Sequence, residues 1–458
     1  MSLPPLAGIV LAAGKGTRMK SDLPKVLHRI AGLPMVEHVC RAMKEAGVQK
    51  IVVVIGHGAE KVRDYLGEDY TYAVQDPPQG TGDAVRVALE ALGAWDGPVL
   101  VSSGDTPLQT GEALKQLADR QRSTGAGCAM ATVELADPTG YGRVLFEGER
   151  VVGVVEQKDA TPEQRALKEV CVSVYAFDGL RLADAIPKLT PNNAQGEYYL
   201  TDVPGLVGDS VAEKYEDPSL FVGINDRLQL SEAEAMLRTR LLRKHMIAGV
   251  TIIDPANTYV GVDVEIGPDT RLLPGTILEG KTTIGSNCEI GPNTRLTDSK
   301  VGDGAKIQYS VILDSEVGPK CKVGPYANLR MSAVLETGVK IGNFVEIKNS
   351  RLADGASVAH LSYLGDAIVG AKANVGAGTI TCNYDGFKKN KTEIGANAFI
   401  GTNSTLVAPV KVGDGAFTAA GSVITKDVPN DSMAFGRARQ ETREGYAKVW
   451  RERKQENK

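Results

Sequence analysis

The sequence predicts two folded units joined by a helix: an α/β domain first, then a parallel β-helix built of hexapeptide repeats. Three observations predict this. Short β-rich runs alternate with amphipathic stretches from residue 7 to 222, a Leu/Arg/Glu/Ala-rich stretch without proline follows, and from residue 250 aliphatic-Gly pairs recur on a six-residue beat.

In chain order, AGIVLAAG gives the first strand, a helical pattern runs to about Gly47, IVVVIGHG gives the next strand, a helix runs through Tyr65, and PVLVSSGD gives a later strand. Alternation at that spacing implies a largely parallel sheet within a domain at 1–224. Residues 225–249 read as one helix capped by Gly249, a connector. Residues 250–435 form the repeat array. Its aliphatic-Gly pairs begin at Val260, Ile266, Ile284, Ile290, Val301, Val317, Val323, Ile341, Val369, Val375, Ile394, Ile400 and Val412, and most gaps are multiples of six. Three hexapeptides make one triangular coil, with the aliphatic residue inside and glycine where the chain turns tightly. The beat breaks between Ile341 and Val369 and between Val375 and Ile394, which reads as two insertions, the places where repeat arrays carry function. A basic tail, 436–458, holds Arg437, Arg439, Arg443, Lys448, Arg451, Arg453, Lys454 and Lys458.

Composition narrows the function classes. At 458 residues, 42% hydrophobic and 24% charged, the chain reads as a soluble multidomain protein with no membrane association. A net charge of -4 argues against wholesale nucleic-acid binding. The first residues lack the basic start of a secretion signal, and the six cysteines lie far apart with no CxxC pair. A reducing cytoplasm is the expected setting.

LAAGKGTRM (Leu11 to Met19) follows the first strand, and LPK (Leu23 to Lys25) follows it in turn. It is neither a dinucleotide fingerprint nor a P-loop. Gly14 and Gly16 let backbone N–H groups approach a triphosphate, and Lys15, Arg18 and Lys25 add positive charge. In SSGDTPL, Asp105 ends a strand where a carboxylate can hold Mg²⁺ against phosphates. Asn225 reads from its own context as a helix N-cap.

The LxxGxGTRM…PK pattern resembles the sugar-1-phosphate nucleotidyltransferases, a Rossmann-like nucleotide-diphospho-sugar transferase fold. That resemblance implies a nucleotide site of Leu11, Ala12, Ala13, Gly14, Lys25, Gln75, Gly80, Thr81, Ser103, Gly104 and Asp105. Within it, Gln75 and the Gly80-Thr81 backbone of QDPPQGTGDA contact uracil. It also implies Mg²⁺ on Asp105 and Asn225, with Arg18 and Lys25 as catalytic charges. YGR, VVEQKDAT and NNAQGEYYLTD resemble the N-acetylglucosamine-1-phosphate uridylyltransferase branch, making Gly142 and Glu156 sugar contacts. Cys171 stands where that branch has Asn opposite the sugar, and Ser103 and Asp83 stand where it often carries Tyr and His.

HLSYLGD in the first break and GAGTITCNYDG in the second resemble glucosamine-1-phosphate acetyltransferases, whose β-helix is left-handed and trimeric. Taken with the first half, the whole chain resembles the bifunctional UDP-N-acetylglucosamine pyrophosphorylase / glucosamine-1-phosphate N-acetyltransferase family, using UTP, acetyl-CoA and a sugar-1-phosphate. The resemblance makes His360 the base, oriented by Glu346. It places Arg330 and Lys348 on the sugar phosphate and Tyr363 and Asn374 on the sugar. Asn383, Tyr384, Ala377, Thr402 (a more usual Ser), Ala420 and Arg437 then meet acetyl-CoA. Two other readings stay open: the same chemistry on a different sugar, which Cys171 allows, and a nucleotidyltransferase with a purely structural β-helix.

Overall fold

The structure, a computed structural model, describes residues 4–456; Lys458 of the basic tail lies outside the described residues. It divides into two compact units, Met1–Arg240 and Leu241–Lys458. Among the described residues no helix is long and apolar enough to cross a membrane.

The first unit is built on a nine-stranded sheet. KIVVVI (Lys50–Ile55) is a β-branched run, nearly all of it buried, as a strand covered on both faces must be. It lies parallel to Thr71–Val74 on one side and to Ala7–Leu11 on the other, and Ala7–Leu11 is parallel to Pro98–Ser103 beyond it. The chain order reverses at Ala7–Leu11, so a crevice opens at the carboxyl end of that strand. The largely parallel sheet expected is in fact mixed. Glu169–Asp178 enters antiparallel beside Pro98–Ser103, and Gly142–Glu147 forms a hairpin with Arg150–Val155. A connection of two residues leaves no room for the crossover helix that a parallel pair requires.

The helix Arg227–Ile247 follows, and Gly249 closes it at a φ of 97°. Its first turn corrects the N-cap reading of Asn225. The side chain that accepts from the helix, from the backbone N–H of Gln229 at 2.9 Å, belongs to Asp226. Asn225 is thereby left for other work.

The second unit is a parallel β-helix of three sheets holding eleven, ten and nine short strands, in keeping with the left-handed hexapeptide coil expected. Successive coils stack like on like: Leu272 lies beside Ile290, Ile290 beside Ile307, and Val323 beside Ile341. All of these side chains are buried in one continuous column. Each contributes about 1.5 to 3 kcal/mol of transfer free energy on burial, and no terminal coil can supply its own cover.

Two expectations about the repeat are corrected. The stretch from Ile341 to Val369 contains no insertion. Ile347, Leu352, Val358 and Leu364 continue the buried column on strands paired with the coils before and after. The signature thins there because Lys348, Ala353 and Ala359 follow three of the inward residues, leaving Leu364-Gly365 as the one pair, and the step shortens to five at Leu352 and Val369. Only the second break is a true insertion: after the strand Ile380–Cys382 the chain leaves the coil and returns at Thr392–Ile394. Most of the pair glycines are not turn residues either; Gly291 and Gly324, at φ of 104° and 101°, are the exceptions. Gly302 and Gly318 lack the positive φ of a tight turn, but a Cβ on them would lie 2.7 Å from Pro319 N and 2.7 Å from Leu335 O. Glycine is there so that neighbouring coils can touch.

Candidate active sites

In the first unit the predicted phosphate loop, the base-reading segment and the end of the strand Pro98–Ser103 meet. Leu11, Ala12, Ala13, Gly14, Lys25, Gln75, Gly80, Thr81, Ser103 and Asp105 all line one cavity of about 300 Å³ at the crevice. Gly104 ties two of its walls together, its N–H donating to Leu11 O at 2.8 Å. Gly14 faces open space, as a backbone that approaches a ligand must. Gly16 does something else. It sits at a φ of 58°, and a Cβ there would lie 2.4 Å from Lys25 Cβ, so its glycine lets LPK fold back over the loop.

That fold-back sets the electrostatics. Lys25 Nζ donates to Asp105 Oδ2 and, at 3.0 Å, to Asn225 Oδ1; Arg18 Nη2 donates to the same Asn225 oxygen at 2.8 Å. The backbone delivers this meeting, because Ile224 N–H donates to Asp105 O at 2.9 Å and so holds Asn225 alongside Asp105. Two oxygens thus converge on one cation position. Among the described residues no group of three or more His, Cys, Asp or Glu could hold a metal. One carboxylate and one amide suit a hard ion that keeps water and phosphate as its remaining ligands.

Glu156, Gly142 and Cys171 form a second cluster. Gly142 pairs with Cys171 across two antiparallel strands, and a Cβ on it would come within 3.6 Å of Glu156 Oε1. Burial pushes the Glu156 carboxyl above the usual range, opposed by the Thr201 hydroxyl, which donates to it at 3.1 Å. Cys171 Sγ, itself buried, donates to Tyr175 OH at 3.1 Å.

In the β-helix the predicted residues fall into two groups. On one sheet Arg330 sits beside Lys348, and Glu346 beside Tyr363. On one corner, successive coils bring His360, Ala377, Thr402, Ala420 and Arg437 into a column: Gly378 N–H donates to His360 O, Asn403 N–H to Ala377 O, and Gly421 N–H to Thr402 O. Arg437 Cδ reaches within 3.8 Å of where a Gly421 Cβ would stand. Asn374 lies on the sheet that carries His360, paired with Ser357. Asn383 and Tyr384 open the inserted loop, and Lys389 Nζ lies 4.3 Å above the Tyr384 ring.

The expected orienting contact differs. Glu346 is held by Arg330 at 2.7 Å, whereas His360 Nδ1 meets Asn343 Oδ1 at 2.5 Å. Asn343 precedes the quoted motifs and carried no signal. Asp366, which ends HLSYLGD, was passed over although it gathers Lys348 Nζ at 3.3 Å, Asn349 Nδ2 at 2.5 Å and Asn383 Nδ2. Burial raises its pKa, but these donors outweigh that and hold it below the usual value.

Comparison with known proteins assigns a family to the chain and a domain to each unit. A MobA-like NTP transferase domain model matches residues 8–169, and a bacterial transferase hexapeptide model matches 263–298 and 391–426. The bifunctional protein GlmU of Staphylococcus haemolyticus is 49% identical over 445 residues, covering 96% of this chain and 99% of that protein. The chain belongs to the GlmU family. GlmU of Streptococcus agalactiae is similar at 47% identity over 444 residues, covering 96% of this chain and 97% of that protein. GlmU joins a uridylyltransferase to an acetyltransferase, and the two matched modules supply those activities here. Nucleotide transfer of this kind generally uses a divalent metal.

Proposed function

We propose that the chain makes UDP-N-acetylglucosamine in two separate pockets, acetylating glucosamine-1-phosphate in the β-helix and uridylylating the product in the first unit. The observation that carries the reading is the convergence of the phosphate loop, Gln75 and Asp105 on one cavity whose mouth holds Lys25, Arg18 and Asn225.

In the uridylyl step the loop at 11–14 receives the triphosphate of UTP, and Gln75 with the Gly80-Thr81 backbone receives the base. Glu156 and the Gly142 backbone orient the sugar, with Cys171 behind them. Its phosphate oxygen attacks the α-phosphorus, a new P–O bond forms, and the bond to pyrophosphate breaks in line. Catalysis here is positioning and charge neutralisation. Mg²⁺ fits Asp105 and Asn225, and when bound it supplies charge that draws the two phosphates together. Arg18 and Lys25 offset charge on the departing pyrophosphate.

In the acetyl step the amine nitrogen attacks the thioester carbonyl, His360 takes the amine proton, and CoA leaves as its thiolate. With Asn343 Oδ1 as acceptor, His360 Nδ1 carries hydrogen and Nε2 keeps the lone pair that a base needs. Arg330 and Lys348 hold the sugar phosphate, Tyr363 and Asn374 the sugar. Acetyl-CoA follows the column Ala377, Thr402, Ala420 and Arg437, beside Asn383 and Tyr384.

The reading includes a homotrimer in a cytoplasmic setting. Support for assembly comes from an exposed apolar ridge in which Tyr326 and Phe344 stack at 5.2 Å and Leu361 follows, bordering a cavity of about 400 Å³ lined also by Glu346 and Tyr363. Two incubations test the whole: glucosamine-1-phosphate with acetyl-CoA, and N-acetylglucosamine-1-phosphate with UTP and Mg²⁺. Product in both is expected. Failure of the first alone would leave the β-helix structural, and another sugar outperforming these would redirect the specificity.

A further inference from the structure

Both hydrogens of the Gln75 side-chain amide are committed. Nε2 donates to Gly80 O at 2.9 Å and to Asp83 Oδ2 at 2.8 Å. A carbonyl and a carboxylate can only accept, so the partners themselves decide which end of the amide is nitrogen. Asp83 is fixed in turn. Its Oδ1 accepts from Arg86 Nε at 3.0 Å and Nη2 at 2.7 Å, and Arg86 Nη1 goes on to Glu90 at 2.8 Å. Gln75 is 5% exposed and Asp83 6%, so water offers neither an easy substitute.

The amide's remaining polar atom, Oε1, is an acceptor with no hydrogen-bond partner among the described residues, and Gln75 lines the nucleotide cavity with Gly80, Thr81 and Ala84. An acceptor there favours a base that presents a donor. Uracil does so through N3–H, whereas cytosine carries a lone pair at N3.

We propose that Asp83 is a positioning residue for nucleobase selection: by fixing the Gln75 amide it turns an acceptor toward the base and so selects a pyrimidine with an N3–H over cytosine. The inference rests on the uridylyltransferase reading of the same cavity. Asp83 acts only through Gln75, and Arg86 acts only through Asp83. In an Asp83→Asn chain Arg86 still requires an acceptor, which leaves the new amide nitrogen facing Gln75 and favours a flip. Gly80 O opposes that flip, so selectivity relaxes rather than inverts.

The test compares kcat/KM for UTP and CTP, with N-acetylglucosamine-1-phosphate and Mg²⁺, in the full chain and in Asp83→Asn and Arg86→Gln. Thermal unfolding of the same preparations, compared with the unsubstituted chain, serves as the control for folding. The expected result is a UTP:CTP ratio lower by about tenfold or more in Asp83→Asn. A smaller fall in the same direction is expected in Arg86→Gln. Parallel loss of both nucleotides at an unchanged ratio would mean that Asp83 is merely structural, and would overturn the inference. If Asp83→Asn does not fold, an unchanged ratio in Arg86→Gln overturns it equally. An unsubstituted chain that ignores UTP would instead sink the underlying reading, and the two failures are thereby distinguished.

Discussion

Lys25 Nζ is bound to Asp105 Oδ2, with the two side chains only 13% and 19% exposed. Were Asp105 to hold a divalent ion, that oxygen would be shared with it and the Lys25 ammonium would be free for phosphate. Asp105→Asn keeps the size of the side chain and removes the charge on which this exchange depends. Uridylyl transfer is expected to fall by about 100-fold or more, on the scale of lost electrostatic stabilisation. Acetyl transfer should not change. Parallel assays across a Mg²⁺ titration check this, and near-normal uridylyl transfer would remove Asp105 from the metal site.

The phosphate loop was legible because its residues are contiguous and its chemistry is local: glycines for approach, cations for charge. Asp83 and Asn343 were not, because each acts through a hydrogen bond to a side chain whose geometry only the fold creates. The period of the β-helix was readable wherever glycine follows the inward residue. Between Ile341 and Val369 the coil persists with that mark only at Leu364-Gly365, so a change of residue type looked like an insertion. Asn225 shows the opposite error, since its neighbour Asp226 took the cap and left Asn225 facing Lys25 and Arg18.

His360 Nδ1 lies against Asn343 Oδ1, a contact that on the proposed reading sets the ring's tautomer. Replacing His360 by Ala is expected to slow acetyl transfer by about 10²- to 10⁴-fold, the usual worth of a general base. Asn343→Ala leaves the ring in place but unoriented, so a smaller loss of about tenfold is expected, in kcat rather than in KM. Steady-state kinetics with glucosamine-1-phosphate check both. Equal activity in the Asn343 variant would return the orienting role to another group.

Close approach between coils can be tested without touching either pocket. Gly318→Ala places a methyl 2.7 Å from Leu335 O, a backbone atom that cannot step aside. Overpacking of this kind costs about 1 to 3 kcal/mol. Gly338→Ala meets nothing within 4 Å but sits at a φ of 70°, so only backbone strain opposes it. Thermal unfolding should show a loss of Tm in both, larger for Gly318. Should Gly318→Ala be neutral, the account of the pair glycines fails.

Glu156 offers a test with a pH signature. Burial lifts its folded pKa, so the folded chain retains a proton that the unfolded chain has already released at the ordinary glutamate value of about 4.3. The stability this proton linkage confers is complete below the unfolded value and is lost as pH rises through the folded one, at about 1.4 kcal/mol per pH unit between them. Glu156→Gln does not titrate, and its side-chain oxygen can still accept from Thr201. The variant should therefore match the parent near pH 4 and exceed it in Tm by a margin that grows toward neutral pH and then levels off. Its KM for N-acetylglucosamine-1-phosphate should rise, because an ionised acceptor holds a sugar hydroxyl or amide more strongly than a neutral one. A Tm difference that does not vary with pH would show that the carboxyl is not kept from ionising by its surroundings, whereas a pH-dependent gain with no change in KM would separate the buried charge from sugar recognition.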